Sequence, residues 1–449
     1  MKASAAIAPG RLDPSEYNEN FDEVRPPLDR HQALVDSSRC LFCYDAPCIE
    51  ACPTGIDIPS FIRKIGTGNL KGAAVDILSE NIMGGMCARV CPTEVLCEEA
   101  CVRTAAEGKP VRIGLLQRHA TDWLLGHAIQ PFQRAPATGQ RIAVVGGGPA
   151  GLSCAHRLAL LGHAVTVFEA RAKLSGLNEY GIAAYKTPHQ FAQREVDFIL
   201  GIGGIEVRNG QALGRDVTLD ALRRDYHAVF LGLGLAGTKA LAVDGEELAG
   251  VEDAVAYIER LRQTADLSKL PVGRQVVVIG GGNTAVDVAV QAKRLGAEDV
   301  TMVYRRGPDA MSATPHEQEF AQVNGVRIKY WARPVRLVGS DRRVVAAEFE
   351  YTKLDAGGRP VGTGETFSLS ADQVFRAIGQ VLVLDPFRGG TQQVLETQNG
   401  KIAVDAERAT SLSGVWAGGD CVAGADLTVQ AVQDGKVAAH AIDRHLRGA

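Results

Sequence analysis

A chain of 449 residues with 46% hydrophobic and 22% charged side chains has room for roughly two to four domains with ample core. Its net charge of -4, with no basic run and no basic amphipathic helix, gives no reason to expect nucleic acid or an anionic membrane as a partner. The apolar part of the stretch after Met1 is too short for a signal peptide and no run approaches the length of a membrane span, so a cytoplasmic protein is expected.

Residues 1–35 are polar, with Pro14, Pro26 and Pro27, and are expected to form an extended arm lying on the body or on a partner. Eight of the ten cysteines then fall between Cys40 and Cys101, which in a cytosolic chain means metal before disulfide. The first group reads Cys40-x2-Cys43-x4-Cys48-x3-Cys52-Pro53 and the second Cys87-x3-Cys91-Pro92-x4-Cys97-x3-Cys101, with helices expected over 59–65 and 70–80 between them. Short gaps let several thiolates of one loop converge on one iron-sulfur cluster, and a proline after the last cysteine of a run is the bacterial ferredoxin pattern. Eight thiolates could hold two [4Fe-4S] clusters. Tetrahedral zinc is the alternative, disfavoured by the uneven spacings. Spacing does not fix which cysteine serves which cluster. A helix over 111–125 places Gln117 and His119 soon after the last cysteine; alone, both read as surface or packing residues.

Residues 128–140 read as a linker, and at Arg141 a nucleotide-binding domain begins. Val144-Val145-Gly146-Gly147-Gly148-Pro149-Ala150-Gly151 has the strand, tight turn and helix start that seat a pyrophosphate. Gly146 turns the chain, Gly148 clears a side chain from the phosphate's approach, and Gly151 lets helix and sheet pack closely. Backbone N-H groups at the helix start, around Pro149 and Ala150, would hold the phosphates, and the next strand delivers Glu169 to a ribose hydroxyl. We read this as the seat of a flavin, FAD, against the plainer alternative of a glycine-rich turn in an ordinary Rossmann-type fold. The loop over 173–181 is small and polar enough to pass close to a ring system.

A second fingerprint follows at Gly280-Gly281-Gly282-Asn283-Thr284-Ala285, with Ala285 in the third glycine's place. Its second strand ends in Arg305-Arg306 where the flavin fingerprint has Glu169, and guanidinium groups there suit the 2'-phosphate of NADP. Alternating strands complete this domain, and at Ala377-Ile378-Gly379-Gln380 the chain crosses back. Trp416-Ala417-Gly418-Gly419-Asp420 then sets a carboxylate near a flavin's hydroxyls, and Thr428 opens a helix whose N-terminus points at the flavin ring. Ala377 and Gly379 complete the cofactor-binding set. Cys154 and Cys421 are expected to be structural, because no C-x-x-C lies in the nucleotide domains, and His163 and His316 are read as lone histidines without a partner motif.

The order of cysteine-rich helical domain, flavin fingerprint, inserted pyridine-nucleotide fingerprint and Trp-Ala-Gly-Gly-Asp closely resembles the small subunit of bacterial dihydropyrimidine dehydrogenase. At greater distance it is similar to the glutamate synthase small subunit. The resemblance covers the chain from about residue 25 onward, and the segment from Gly176-Leu177-Asn178 to Tyr185-Lys186 resembles the dihydropyrimidine branch.

The resemblance implies a glutathione-reductase-like fold: an α-helical iron-sulfur domain over 1–135, an FAD domain over 140–250 and 378–449, and an NAD(P) domain over 251–377 inserted in it. It implies one cluster on Cys40, Cys43, Cys48 and Cys101 and another on Cys52, Cys91, Cys97 and Gln117, which leaves Cys87 outside, and it places Leu177 and Lys186 beside the flavin. Because the two-subunit enzymes are associated with NADH, the nucleotide is left as NAD(P)H. The expected activity is transfer of electrons from NAD(P)H through FAD and the clusters to an FMN-containing partner that reduces uracil or thymine, in a hetero-oligomer, a heterotetramer. Hydride transfer needs alignment more than an acid or base, so no catalytic side chain is assigned. A reductase feeding a glutamate synthase large subunit and a non-catalytic electron-transfer subunit are the alternatives, and the intact second fingerprint argues against the latter.

Overall fold

In the computed structural model, which describes residues 6–385 and 395–448, the first fingerprint rises from a five-stranded parallel sheet. The strands run in the order Val415–Ala417, Ala228–Leu231, Arg141–Val145, Ala164–Glu169 and Ile205–Asn209. Ile142 to Val145 are all buried, as a parallel strand covered on both faces requires. Helix Pro149–Leu160 packs on helix Thr428–Arg447, so elements far apart in the chain close over the same sheet. Gly162 ends the first of these in the left-handed region at φ 94°, where a Cβ would stand 2.2 Å from the Pro136 carbonyl oxygen.

The cysteines lie among short helices, chiefly Ile58–Gly66, Leu70–Glu80, Gly84–Val90 and Ile113–Gly126. Asp57 caps the first through the Ser60 N-H at 3.0 Å and Asn69 caps the second through the Gly72 N-H at 2.9 Å, each cap contributing about 1 kcal/mol. Phe61, Ile77, Met86 and Leu116 from these helices share one hydrophobic cluster with Leu152, Leu158, Val167 and Ile442 of the flavin-type sheet and its helices. The cysteine region and the first nucleotide fold are therefore one compact unit, which runs over 25–179, 189–237 and from Val381 onward.

The second compact unit comprises the chain up to Val24, Tyr180–Pro188 and Thr238–Gln380. Its parallel sheet has the order Arg327–Lys329, Asp299–Val303, Gln275–Ile279, Gln373–Arg376, Val251–Asp253. One face carries helices and buries Tyr257, Val286, Val290 and Phe375. The other carries a three-stranded antiparallel sheet, Ala332–Ser340, Arg343–Leu354 and Pro360–Ser370, over Val277, Ile279, Phe349 and Val374.

The N-terminal arm is not the extended segment its composition suggests. Ile7–Ala8 pairs antiparallel with Val272–Gly273, and helix Pro14–Asn20 buries Tyr17 and Phe21 in the core of the second unit. A further helix, Arg30–Ser37, belongs to the first unit. Among the described residues no helix is long and apolar enough to cross a membrane.

Candidate functional site

At the first glycine turn the backbone is packed against itself. Gly146 has φ 98°, and a Cβ there would lie 2.2 Å from the Gly232 carbonyl oxygen; at Gly151 it would lie 1.9 Å from the carbonyl oxygen of Gly146. At Gly148 the nearest heavy atom to a Cβ is Gly176 Cα at 3.8 Å, so the turn is open there. Helix Pro149–Leu160 starts at Gly148 with no side chain capping it, which leaves its first N-H groups for an anion. Both Glu169 oxygens are positioned by backbone, accepting from Gly147 N at 2.7 Å and Arg171 N at 2.8 Å, and each retains a lone pair for a further donor.

Gly419 has φ 77°, and a Cβ on it would lie 3.0 Å from Ala150 Cβ, so the Gly419-Asp420 corner rests on the turn. Its N-H donates to Asp434 Oδ2 at 2.9 Å, and Arg408 holds the other oxygen of that buried carboxylate at 2.7 Å. Asp420 has no such partner among the described residues. Burial first, and then the like charge of Asp426, push its pKa up to about 6; Lys401 opposes this but is engaged with Asp426 at 2.8 Å. A half-buried carboxylate lacking donors, beside an open glycine turn and an uncapped helix, fits a ligand rich in phosphates and hydroxyls. Thr428, first in the final helix, donates its hydroxyl to Asn178 Oδ1 at 2.8 Å, and Asn178 lies in the short helix Leu177–Tyr180, just after Gly176, which abuts Gly148.

The second turn is built likewise. A Cβ at Gly280 would lie 2.2 Å from the Ala377 carbonyl oxygen, and one at Gly281 would enter the Tyr304 ring. Gly282 caps helix Asn283–Arg294 without a side-chain bond, leaving the N-H groups at Asn283 and Thr284 free of a capping side chain, and Ala285 is fully buried. Gly379, at φ 103°, accepts from Lys239 N at 3.1 Å. Arg305 is exposed and Arg306 half-buried, its Nε buried without a partner. Lys186 lies in this unit, its Nζ 2.8 Å from Asp287 Oδ1 and 2.7 Å from Glu317 Oε1. Burial works against its charge, but the two carboxylates outweigh it and raise its pKa.

The cysteines fall into two neighbourhoods. Cys40, Cys43, Cys48 and Cys101 line one apolar cavity with Leu41, Ile58 and Ile62. Burial, then the adjacent Cys40 and Cys101, push the Cys48 thiol up to about 12. Cys97 is raised by burial, then by Glu98 and Cys52; Cys91 is raised by its hydrogen bond with Cys87, then by burial, with Cys97 and Cys52 adding to it. Clustered thiols held neutral by burial and by one another become thiolates when a cationic centre supplies the missing positive charge. Gln117 is buried on helix Ile113–Gly126, and its Nε2 donates to the Gly84 carbonyl at 2.7 Å. Because that carbonyl only accepts, the amide nitrogen must face it and the amide oxygen is left for another partner. Among the described residues no three His, Cys, Asp or Glu side chains are placed to hold a single metal ion.

Several contacts around the first turn and the cysteines have no sequence motif: those of Asp434, Asn178, and Glu195, whose Oε1 accepts from Met86 N at 2.9 Å in helix Gly84–Val90. His163 is not alone. Its Nε2 meets Asp443 Oδ1 at 2.8 Å and its Nδ1 meets Thr138 Oγ1 at 2.7 Å, tying the linker to the final helix. Cys154 and Cys421 are fully buried, the latter with its thiol pushed up to about 11 by burial.

Comparison with known proteins matches both halves. Residues 17–129 match the family described as dihydropyrimidine dehydrogenase domain II, 4Fe-4S cluster, and residues 140–435 the family described as pyridine nucleotide-disulphide oxidoreductase. FprA of Mycobacterium tuberculosis shares the fold over 70% of this chain and 86% of its own, at a TM-score of 0.58 and 21% identity. The beta subunit of the NADP(+)-dependent formate dehydrogenase of Moorella thermoacetica is 34% identical over 90% of this chain and 60% of its own length. The NAD-dependent dihydropyrimidine dehydrogenase subunit PreT of Escherichia coli is 35% identical over 96% of this chain and 98% of its own. Agreement that runs through cysteine region and both fingerprints alike places the chain in the family of dihydropyrimidine dehydrogenase PreT subunits, as an FAD- and NAD(P)H-dependent oxidoreductase with an iron-sulfur-type domain.

Proposed function

We propose that this chain is the cytoplasmic electron-input subunit of a pyrimidine-reducing heterotetramer, serving an FMN-containing partner that reduces uracil or thymine at the 5,6 bond. The observation that supports this most is the end-to-end identity of 35% with a dihydropyrimidine dehydrogenase subunit. When bound, FAD supplies a two-electron acceptor for NAD(P)H and a one-electron donor to two [4Fe-4S] clusters.

The chain's own residues hold and orient. Gly146, Gly148, Pro149, Ala150 and Gly151 receive the flavin's diphosphate, Glu169 its ribose, and Gly419, Asp420 and Thr428 its remaining polar groups. Donors on the ligand would also relieve Asp420 of the burial that raises its pKa. Gly280, Gly282, Asn283, Thr284 and Ala285 receive the diphosphate of NAD(P)H. Cys40, Cys43, Cys48 and Cys101 take one cluster, and Cys52, Cys91, Cys97 and Gln117 the other. The opening left at Gly148, against the close packing at Gly146 and Gly151, supports a phosphate approaching at that point.

Arg305 and Arg306, with no side-chain partner among the described residues, are available for a 2'-phosphate. Replacing both by alanine is expected to raise KM for NADPH by roughly 10- to 100-fold, the loss of one or two charge-assisted bonds, and to leave that for NADH nearly unchanged. Steady-state dye reduction with each nucleotide checks this, and equal effects on both would remove the arginines from nucleotide choice.

The whole reading is tested by anaerobic stopped-flow reduction of the cluster-loaded chain with NADH and NADPH, followed by uracil with and without the partner subunit. Flavin and clusters are expected to bleach, and uracil to reoxidise them only when the partner is present. Reoxidation by uracil without the partner would refute the division of labour. Reduction that uracil never reverses would favour another acceptor, as the likeness to a formate dehydrogenase subunit also allows.

A further inference from the structure

Between the short helix Leu177–Tyr180 and the helices around the cysteines runs a line of buried contacts. Asn178 is 1% exposed; its amide oxygen accepts from Thr428, and its Nδ2 lies 4.0 Å from Met83 Sδ. Met83 is completely buried and is joined by one peptide bond to Gly84, whose carbonyl accepts from Gln117 Nε2 at 2.7 Å. Gly84 is pressed so closely into the core that a Cβ would stand 2.5 Å from Ile77 Cγ2, which leaves its carbonyl little freedom to turn elsewhere. The line passes from the loop that closes on Gly148 to the side chain expected to complete a cluster. Asn178, Met83 and Gln117 are all buried, and a polarisable thioether sits at the widest gap, 4.0 Å.

Resting on the reading that FAD occupies the first turn and that Gln117 serves a cluster, we propose that Asn178 and Met83 are positioning residues that bridge flavin and cluster for electron transfer. With both groups bound, each transfer would carry one electron from the reduced flavin to a ferric iron of the cluster that Gln117 would help hold, with no bond made or broken between them and the flavin's proton passing to water, while Asn178 and Met83 would only hold the atoms between. Tunnelling falls off exponentially with gap. Filling this gap with packed atoms therefore sets the rate of the second step without touching the first.

The test uses the full, cofactor-loaded chain with Asn178→Ala, Met83→Ala and Met83→Leu, the last refilling the volume. Stopped-flow absorbance separates flavin reduction by NAD(P)H from cluster reduction, and the electron paramagnetic resonance spectrum of the dithionite-reduced protein reports whether the clusters are intact. In Met83→Ala flavin reduction is expected to keep the wild-type rate and cluster reduction to slow by an order of magnitude; in Asn178→Ala, which also frees Thr428, the ratio of cluster to flavin reduction rate is expected to fall by a similar factor. The resonance spectrum is expected to stay unchanged, and Met83→Leu to recover most of the rate. If Met83→Ala does not fold, Asn178→Ala carries the test alone. Clusters that keep pace with the flavin, or flavin and clusters slowed together with an altered spectrum, would overturn the assignment. A wild-type protein whose reduced flavin never reduces its clusters would instead sink the functional reading, and this inference with it.

Discussion

Gly151→Ala is expected to purify without flavin. The added Cβ would stand 1.9 Å from the carbonyl oxygen of Gly146 and 3.2 Å from Val144 Cγ1. Relief would have to come from the backbone, because the first obstacle is a carbonyl. That turn is pinned by the Gly146 N-H on Phe168 O at 2.8 Å and by the Gly232 N-H on Val145 O at 2.8 Å. Overpacking in a core typically costs about 1–3 kcal/mol, and here flexible side chains cannot share it. The predicted result is loss of flavin absorbance and of NAD(P)H-dye activity, with iron content largely kept because the cysteines sit on other elements. Gly148→Ala is the contrasting case: among the described residues it meets nothing closer than 3.8 Å, so the fold should keep its stability while FAD binds more weakly. A flavin-replete Gly151→Ala protein would contradict the close approach on which this rests.

Glu195→Gln is expected to stabilise the protein, and to do so only at neutral and alkaline pH. Burial pushes the Glu195 carboxyl up to about 8 from an ordinary 4.5, with Met86 N and Arg89 pulling the other way. Between those two values the folded chain keeps a proton that the unfolded chain has already released, so stability falls as pH rises through that window. Below it the glutamine variant should be equal to the wild type or slightly weaker. Above about pH 8 the glutamine, which preserves an acceptor for Met86 N and needs no proton, should be ahead by an amount on the order of a few kcal/mol. The carboxylic O-H is already short of a partner, since Oε2 has none among the described residues, and the amide adds one further unpaired N-H, a cost of about 1 kcal/mol that is the same at every pH. Urea midpoints of both proteins at about pH 5 and about pH 8.5 decide the matter; a glutamine variant that is weaker at both would mean that Glu195 is ionised and paired.

The features legible in the amino-acid sequence are the local ones. The strands, glycines and acid of the first fingerprint stand within one short stretch, and strands Arg141–Val145 and Ala164–Glu169 flank the turn in the way that spacing implies. The N-terminal arm departs from its compositional expectation for a local reason too. Pro14 occupies the first turn of a helix, where its missing N-H costs nothing, and Glu16 reaches back to the Asp13 N-H at 2.9 Å; Asp-Pro-Ser-Glu is a helix start rather than a break. Other contacts leave no signal in the sequence because their partners are distant in it. Thr428 and Asn178 are 250 residues apart, Met86 and Glu195 109, and His163 finds Asp443 280 residues on. Nor does composition show that an aspartate in the middle of the last helix, Asp434, holds the Gly419 N-H.

The edge strand Val415–Ala417 and the helix from Thr428 complete a sheet that begins at Arg141, and a Cβ on Gly435 would sit 2.1 Å from the Ala150 carbonyl oxygen. During synthesis the helices around the cysteines are all in hand by Gly126, but the first glycine turn waits for residues made after Val415. A product that stops short of them lacks Asp420 and the helix start at Thr428, and so, if these residues seat the flavin as proposed, would lack a finished entry point for hydride. On that assignment, an entry point placed at the meeting of distant segments would keep an incomplete copy of the chain from drawing on reduced nicotinamide through this flavin site and from leaking its electrons to oxygen.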